Sequence, residues 1–304
     1  ENEIPGSTPD MLGPGDFVGV VSCMSGHSQV ENCVAVTDVV AIAVMRDQYP
    51  ELIVKNTPVA MKIIRTFANR MRDLNDNLTK LTLKNTVISS FEELHSIAAY
   101  YEKVGKTDIA IYGYYQYLKH CPNGVNVENA KKRFVALKPR SHAVYFEPSK
   151  DMIRAYPKDT MIFSECQSGN DMFIIQDGSV KITKVTDGNE VILAILKKGD
   201  MFGEMALLEN KPRSASAIAH EDCRLMVVNR QNFDQMVSSQ PQLISKLTTT
   251  LADRLWSMYR QLSNAGLTNP VSKMMDMLAS SAPDNSNIRS SAGSLYVMYA
   301  NVYL

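Results

Sequence analysis

A run of sixteen residues, 202–217, constrains this chain more than any other: Phe-Gly-Glu-Met-Ala-Leu-Leu-Glu-Asn-Lys-Pro-Arg-Ser-Ala-Ser-Ala. Gly203 permits a backbone conformation closed to residues with a Cβ. After it, residues 204–208 can form one short helical turn. The free N–H groups of Met205, Ala206 and Leu207 would then face an anion. Glu204 is placed to accept a hydrogen bond from a ribose 2′-hydroxyl. Arg213, nine residues further on, offers a planar fork of donors to exocyclic phosphate oxygens. Ser214 and Ala215 are small enough to let a phosphate approach the backbone. The expected ligand is a cyclic phosphodiester with its ribose.

The flanks read as strands. Runs 161–164, 172–176, 179–183 and 191–196 are short and rich in Ile, Val and Phe, and Ser-Gly-Asn, Asp-Gly and Asp-Gly-Asn turns separate them. Those turns supply the positive φ angles of tight hairpins. Runs 216–219 and 223–229 add two more strands, so a small β-barrel or roll is expected. Leu243, Ile244, Leu247, Leu251, Leu255, Met258 and Leu262 then recur at helical spacing.

Residues 202–217, with this β pattern before them and this helix after, resemble the phosphate-binding cassette of cyclic nucleotide-binding domains. That family includes kinase regulatory subunits, gated channels and the catabolite activator protein. The resemblance covers about residues 141–264 and implies a jelly-roll-like β-roll whose last helix closes as a lid over a purine. Phe202, Gly203, Glu204, Met205, Ala206, Leu207, Arg213, Ser214 and Ala215 match the cassette. Arg254 matches a position where gated channels place an Arg near the base, and Met258, Trp256 or Tyr259 would add apolar or stacking contact. Ile182 and Leu193 align with base-pocket positions, although either could equally be ordinary core. Ser214 after the Arg leans the choice to cAMP, with cGMP less favoured. One departure stands out: Glu165-Cys166-Gln167 replaces the family's Glu-Gly-Asp turn. That hairpin is free to take another shape, and it is expected to lie away from the phosphate contacts.

The chain also repeats itself. Gly15-Asp16-Phe17-Val18-Gly19 falls on Gly199-Asp200-Met201-Phe202-Gly203 at an interval of 184 residues (199 − 15). The register holds without a gap: Asp38 falls on Asp222, Arg46 on Arg230 and Arg70 on Arg254. Val59, Ile63, Phe67, Met71, Leu74 and Leu78 carry the same helical stripe. The chemistry has changed, with Val20 in place of Glu204 and Gln29 in place of Arg213. Neither substitute can do its counterpart's work, so the first copy is expected to be a cyclic nucleotide-binding domain in shape only, serving as an interaction or dimerisation module. Its early strands would lie before Glu1.

Between the copies, residues 88–137 read as helical. Leu94, Ile97, Ala98, Tyr101, Ala110, Tyr114 and Pro122 sit where a tetratricopeptide repeat has its consensus, though Tyr117 stands where a small residue is preferred. One such repeat cannot bury its own apolar face, so it must pack on a barrel, on its twin in a dimer, or on a partner. Tyr100, Tyr101, Tyr112, Tyr114, Tyr115 and Tyr117 are either helix-packing core or a protein-binding surface.

The expected architecture is therefore α+β: two cyclic nucleotide-binding β-roll domains with C-terminal helices, joined by an all-α helical hairpin. Its parts are the degenerate first domain (1–83), the connector (84–140), the intact domain (141–265), and a helix and tail (266–304). Residues 271–279 begin a helix after Asn269-Pro270; the rest of the tail is polar and neither long nor basic enough for a complete DNA-binding domain.

Zero net charge and a pI near 7.2 argue against a nucleic-acid-binding face. No apolar run approaches a membrane span. Five scattered cysteines without a Cys-x-x-Cys pair fit reduced thiols in the cytoplasm. No metal site, cofactor or catalytic constellation is evident, so an enzyme is not expected. Two functions remain: a cyclic-nucleotide-responsive signalling protein acting on an unknown protein partner, with homodimerisation through lid helices or connector open; or a catabolite-activator-type transcription regulator whose DNA-binding end lies outside this sequence.

Overall fold

The computed structural model describes residues 11–83, 90–143, 147, 149, 151–186, 188–209, 211–239, 241–266 and 271–272. Of the helix and tail expected at 266–304, residues 267–270 and 273–304 lie outside the described residues, as do residues 1–10.

Among the described residues, eight strands form the roll. They are β1 (Ile153–Tyr156), β2 (Met161–Phe163), β3 (Asp171–Asp177), β4 (Ser179–Thr186), β5 (Asn189–Lys197), β6 (Met201–Phe202), β7 (Ser216–Ala219) and β8 (Cys223–Asn229). Two four-stranded sheets result, in the orders β1-β8-β3-β6 and β2-β7-β4-β5, with every pairing antiparallel. Their inner faces meet over Tyr156, Phe163, Phe173, Phe202, Leu225 and Val227. The sequence pattern misses β1 and β6. β6 has only two residues, too few to show an alternation. In β1, Ile-Arg-Ala-Tyr, Ile153 and Ala155 are exposed while Arg154 is half-buried and Tyr156 buried, so the aliphatic residues point out and the strand does not show a hydrophobic inner face.

Helices α1 (Val20–Ser25), α2 (Tyr49–Lys55) and α3 (Thr57–Leu83) precede the connector, and α7 (Glu204–Glu209), α8 (Arg230–Ser239) and α9 (Pro241–Gly266) belong to the second half. α1 and α7 have the same length and stand 184 residues apart, as do the first residues of α3 and α9. Gly19 and Gly203 precede α1 and α7 with φ of 73° and 79°. The long helices pack on each other: Ile63, Ile64, Phe67 and Met71 of α3 share one core with Ile244, Leu247, Leu251 and Leu255 of α9. The contacts are reciprocal, with α1 against α9 and α7 against α3.

Residues 26–45 contain neither strand nor helix. At the 184-residue interval they face β7 and β8, which owe their form to partners on both sides. No strand pairs with 26–45 among the described residues, and Val34, Val36, Val39, Val40 and Ile42 are exposed.

The connector is three helices, α4 (Glu93–Lys103), α5 (Thr107–His120) and α6 (Val127–Leu137), turned at Gly105 with φ 77°. Of the three docking surfaces left open for it, it uses the roll. Tyr101, Tyr112, Tyr114 and Tyr117 are buried in a core that includes Met161 and Ile218 of the β-sheets and Cys166 of the turn between β2 and β3. Tyr101 Oη meets Thr183 Oγ1 at 3.3 Å and donates to Glu190 at 3.2 Å. Lys106 reaches the same carboxylate at 2.7 Å. Four of the six tyrosines are thus packing core, Tyr100 packs half-buried against it, and Tyr115 lies outside it and donates to Glu147.

Candidate functional site

Gly203 turns the chain from β6 into α7. Its φ of 79° lies in the left-handed region. Space requires glycine there too: a Cβ would stand 2.7 Å from Arg213 Nη1 and 3.2 Å from the Asp171 carbonyl oxygen. The first-turn N–H groups of α7 have no acceptor inside so short a helix. Ala206 and Leu207 are buried, and Met205 Sδ accepts from Ser214 Oγ at 3.8 Å, so the loop folds back on its own helix.

Arg213 is only 6% exposed. Nη1 donates to the Gly203 carbonyl and Nη2 to the Asp171 carbonyl, each at 2.7 Å. The guanidinium lies over Phe163, 4.1 Å from the ring centroid. Its Nε has no acceptor, and among the described residues no carboxylate forms an ion pair with it. Desolvation lowers its pKa to about 10, against the opposing pull of Asp171 and Glu204. The group therefore stays charged at neutral pH, buried and held by two carbonyls, without an anionic partner. Gly169 lies flat against it: a Cβ there would be 2.6 Å from Nε and Nη2.

Glu204 is also buried. Its Oε1 accepts from Arg254 Nη1 at 3.0 Å, and Arg254 Nη2 donates to the Met201 carbonyl. Arg254 thus orients the proposed ribose acceptor. Ile182 is partly buried against the roll's core. Leu193 is 49% exposed and is the extra residue of a β-bulge, since Ile182 pairs with Ala194 and Thr183 with Ile192. Met258 packs beside the α3–α9 core. Trp256 and Tyr259 face the first segment instead of the cassette. The indole stacks on His27 at 4.0 Å and donates to the Ser28 carbonyl at 3.1 Å, while Tyr259 donates to Glu31. A cavity of about 450 Å³ adjoins Arg213 and is walled by Tyr112, Arg154, Gly169 and Phe173. None of the other predicted site residues lines it.

The β2–β3 turn does not lie away from the cassette. Cys166 N–H donates to the Arg213 carbonyl and Arg213 N–H to the Gln167 carbonyl, both at 2.8 Å. Cys166 takes φ 63°, the left-handed conformation that suits glycine, so losing the glycine has left that conformation in place. Burial drives the neighbouring Glu165 carboxyl up to about 7. One of its oxygens accepts from Val185 N–H at 3.2 Å, and the other has no partner. The turn signal Ser-Gly-Asn pointed to this hairpin, but nothing in the sequence showed what it touches.

In the first segment Gln29 Oε1 accepts from Ser22 Oγ at 2.8 Å. Arg70 pairs with Glu31 at 3.1 Å. The cavity beside them, about 20 Å³, has room for roughly one water.

Residues 153–240 match the model of the cyclic nucleotide-binding domain, and this part of the chain is such a domain. The cyclic AMP receptor protein of Thermus thermophilus is 35% identical over 103 residues, 34% of this chain and 48% of that one. The human cGMP-dependent protein kinase 2 is 33% identical over 134 residues, 41% of this chain and 18% of that one. The crystal structure of the Thermus thermophilus catabolite activator protein is 34% identical, covers 34% of this chain and 50% of that one, and has a TM-score of 0.33. The chain spans about half the length of the bacterial receptor it matches. Among the described residues no helix is long and apolar enough to cross a membrane, and no group of His, Cys, Asp and Glu could hold a metal ion.

Proposed function

We infer that this chain is a cyclic-nucleotide receptor, not an enzyme, with one working site per chain at residues 202–217 and a preference for cAMP over cGMP. The carrying observation is Arg213, buried and cationic beside the first turn of α7 without an anion to pair with. A cyclic phosphate supplies that anion, and its ribose hydroxyl would share Glu204 with Arg254. The names of the bacterial relatives support cAMP. The first segment repeats the cassette and the helices of the domain without its strands and no longer binds: Val20 and Gln29 replace the two polar contacts, and Glu31 already fills the space beside Arg70. It serves as an interaction module for α9. Five unbridged cysteines support a reducing compartment.

Calorimetric titration with cAMP, and separately with cGMP, tests this. One site per chain with cAMP favoured is expected. Arg213→Ala should abolish binding while thermal unfolding stays cooperative. Glu204→Ala should weaken cAMP but barely change 2′-deoxy-cAMP. Unchanged affinity in Arg213→Ala would remove the phosphate assignment, and equal losses for the two ligands in Glu204→Ala would remove the ribose role.

A further inference from the structure

The first segment and the cassette are joined by a pair of matched contacts. Trp256 of α9 donates to the Ser28 carbonyl at 3.1 Å. Both terminal nitrogens of Arg72, on α3, lie 3.4 Å from the Pro212 carbonyl. Arg72 and Trp256 stand 184 residues apart, and so do Ser28 and Pro212. Residue and target therefore swap between the halves as they do across an isologous two-fold interface, but within one chain.

Only one of the two contacts ends at a working site. Pro212 directly precedes Arg213, whose backbone is already bonded on its other side to the β2–β3 turn. Resting on the receptor reading above, we propose that Arg72 is a positioning residue for the ligand site: α3 of the first segment holds the cassette loop in place through the Pro212 carbonyl and so presets Arg213 for a cyclic phosphate. The non-binding copy thereby completes the site of the binding copy in cis. The cation suits the task because a guanidinium gives two donors to one carbonyl.

The full chain carrying Arg72→Ala should bind cAMP about three- to tenfold more weakly, as expected for losing a charge-assisted bond to the cassette loop. Arg72→Lys, which keeps a donor, should recover part of that loss. Hydrogen exchange at the amides of Lys211, Arg213 and Ser214 in the ligand-free protein should speed up in Arg72→Ala while the amides of α9 keep their protection. A merely structural role for Arg72 would slow or speed both regions together and would not be rescued by Lys. Wild-type affinity with wild-type exchange at 211–214 overturns the proposal. If the wild-type chain binds neither cAMP nor cGMP, the receptor reading fails, and the exchange experiment alone decides whether Arg72 holds the loop.

Discussion

Burial of the Glu165 carboxyl sets a pH dependence that can be worked out in sign. Its pKa rises from 4.5 to about 7 in the folded chain, chiefly by desolvation, with Lys184 and the Val185 N–H opposing and Glu93 adding to the rise. Between those two values the folded chain keeps a proton that the unfolded chain has released. Stability therefore falls as pH climbs through that window and stays lower above it, by roughly 3 kcal/mol in all. Glu165→Gln removes the ionisation. In urea unfolding the variant should gain on the wild type at pH 8 and show little or no gain at pH 5; an equal difference at both pH values would mean that the carboxyl is not driven upward by burial. Glycine and arginine at the cassette were legible from the sequence because each has a chemistry that few other residues share. Cys166 was not: a cysteine carries no mark of the left-handed backbone it adopts, and its own N–H together with the Gln167 carbonyl, both bonded to the Arg213 backbone, hold it there.

The connector hairpin gains its place from the roll. Residues 88–137 read as helical because apolar spacing is local to each helix, but which surface they cover depends on residues 50 to 90 positions away and could not be read locally. Tyr101 reports that docking. Replacing it with Phe keeps the ring and removes the hydroxyl that meets Thr183 and Glu190, so Tyr101→Phe should cost about 1–2 kcal/mol of stability, seen as a lower denaturant midpoint at unchanged slope. A midpoint equal to the wild type would show that the helices do not depend on the polar contacts to β4 and β5. The same limit applies to α9: its stripe predicts a helix with a buried face, and the resemblance offers Met258, Trp256 or Tyr259 as a contact to the purine, whereas Trp256 and Tyr259 are turned toward the first segment.

Across the molecule, the 184-residue interval was readable from sequence because a gapless register needs no knowledge of contacts, but the strands it implied within residues 26–45 are not formed. What it could not convey is how the halves meet. It also left open whether the first cassette could be repaired. Glu31 stands where Ala215 does in the second half, and its carboxylate is already bonded to Arg70 and Tyr259. Val20→Glu with Gln29→Arg should therefore leave the stoichiometry at one cAMP per chain; two sites by titration would show that the lost polar contacts were all that silenced it. The contact of α3 with α9 has a consequence beyond the site. Two separate subunits joined by such helices come apart on dilution, and their response then tracks how much protein is present. Here the covalent chain fixes the concentration of one helix around the other, so the clasp on the cassette loop is as complete in a sparse sample as in a crowded one.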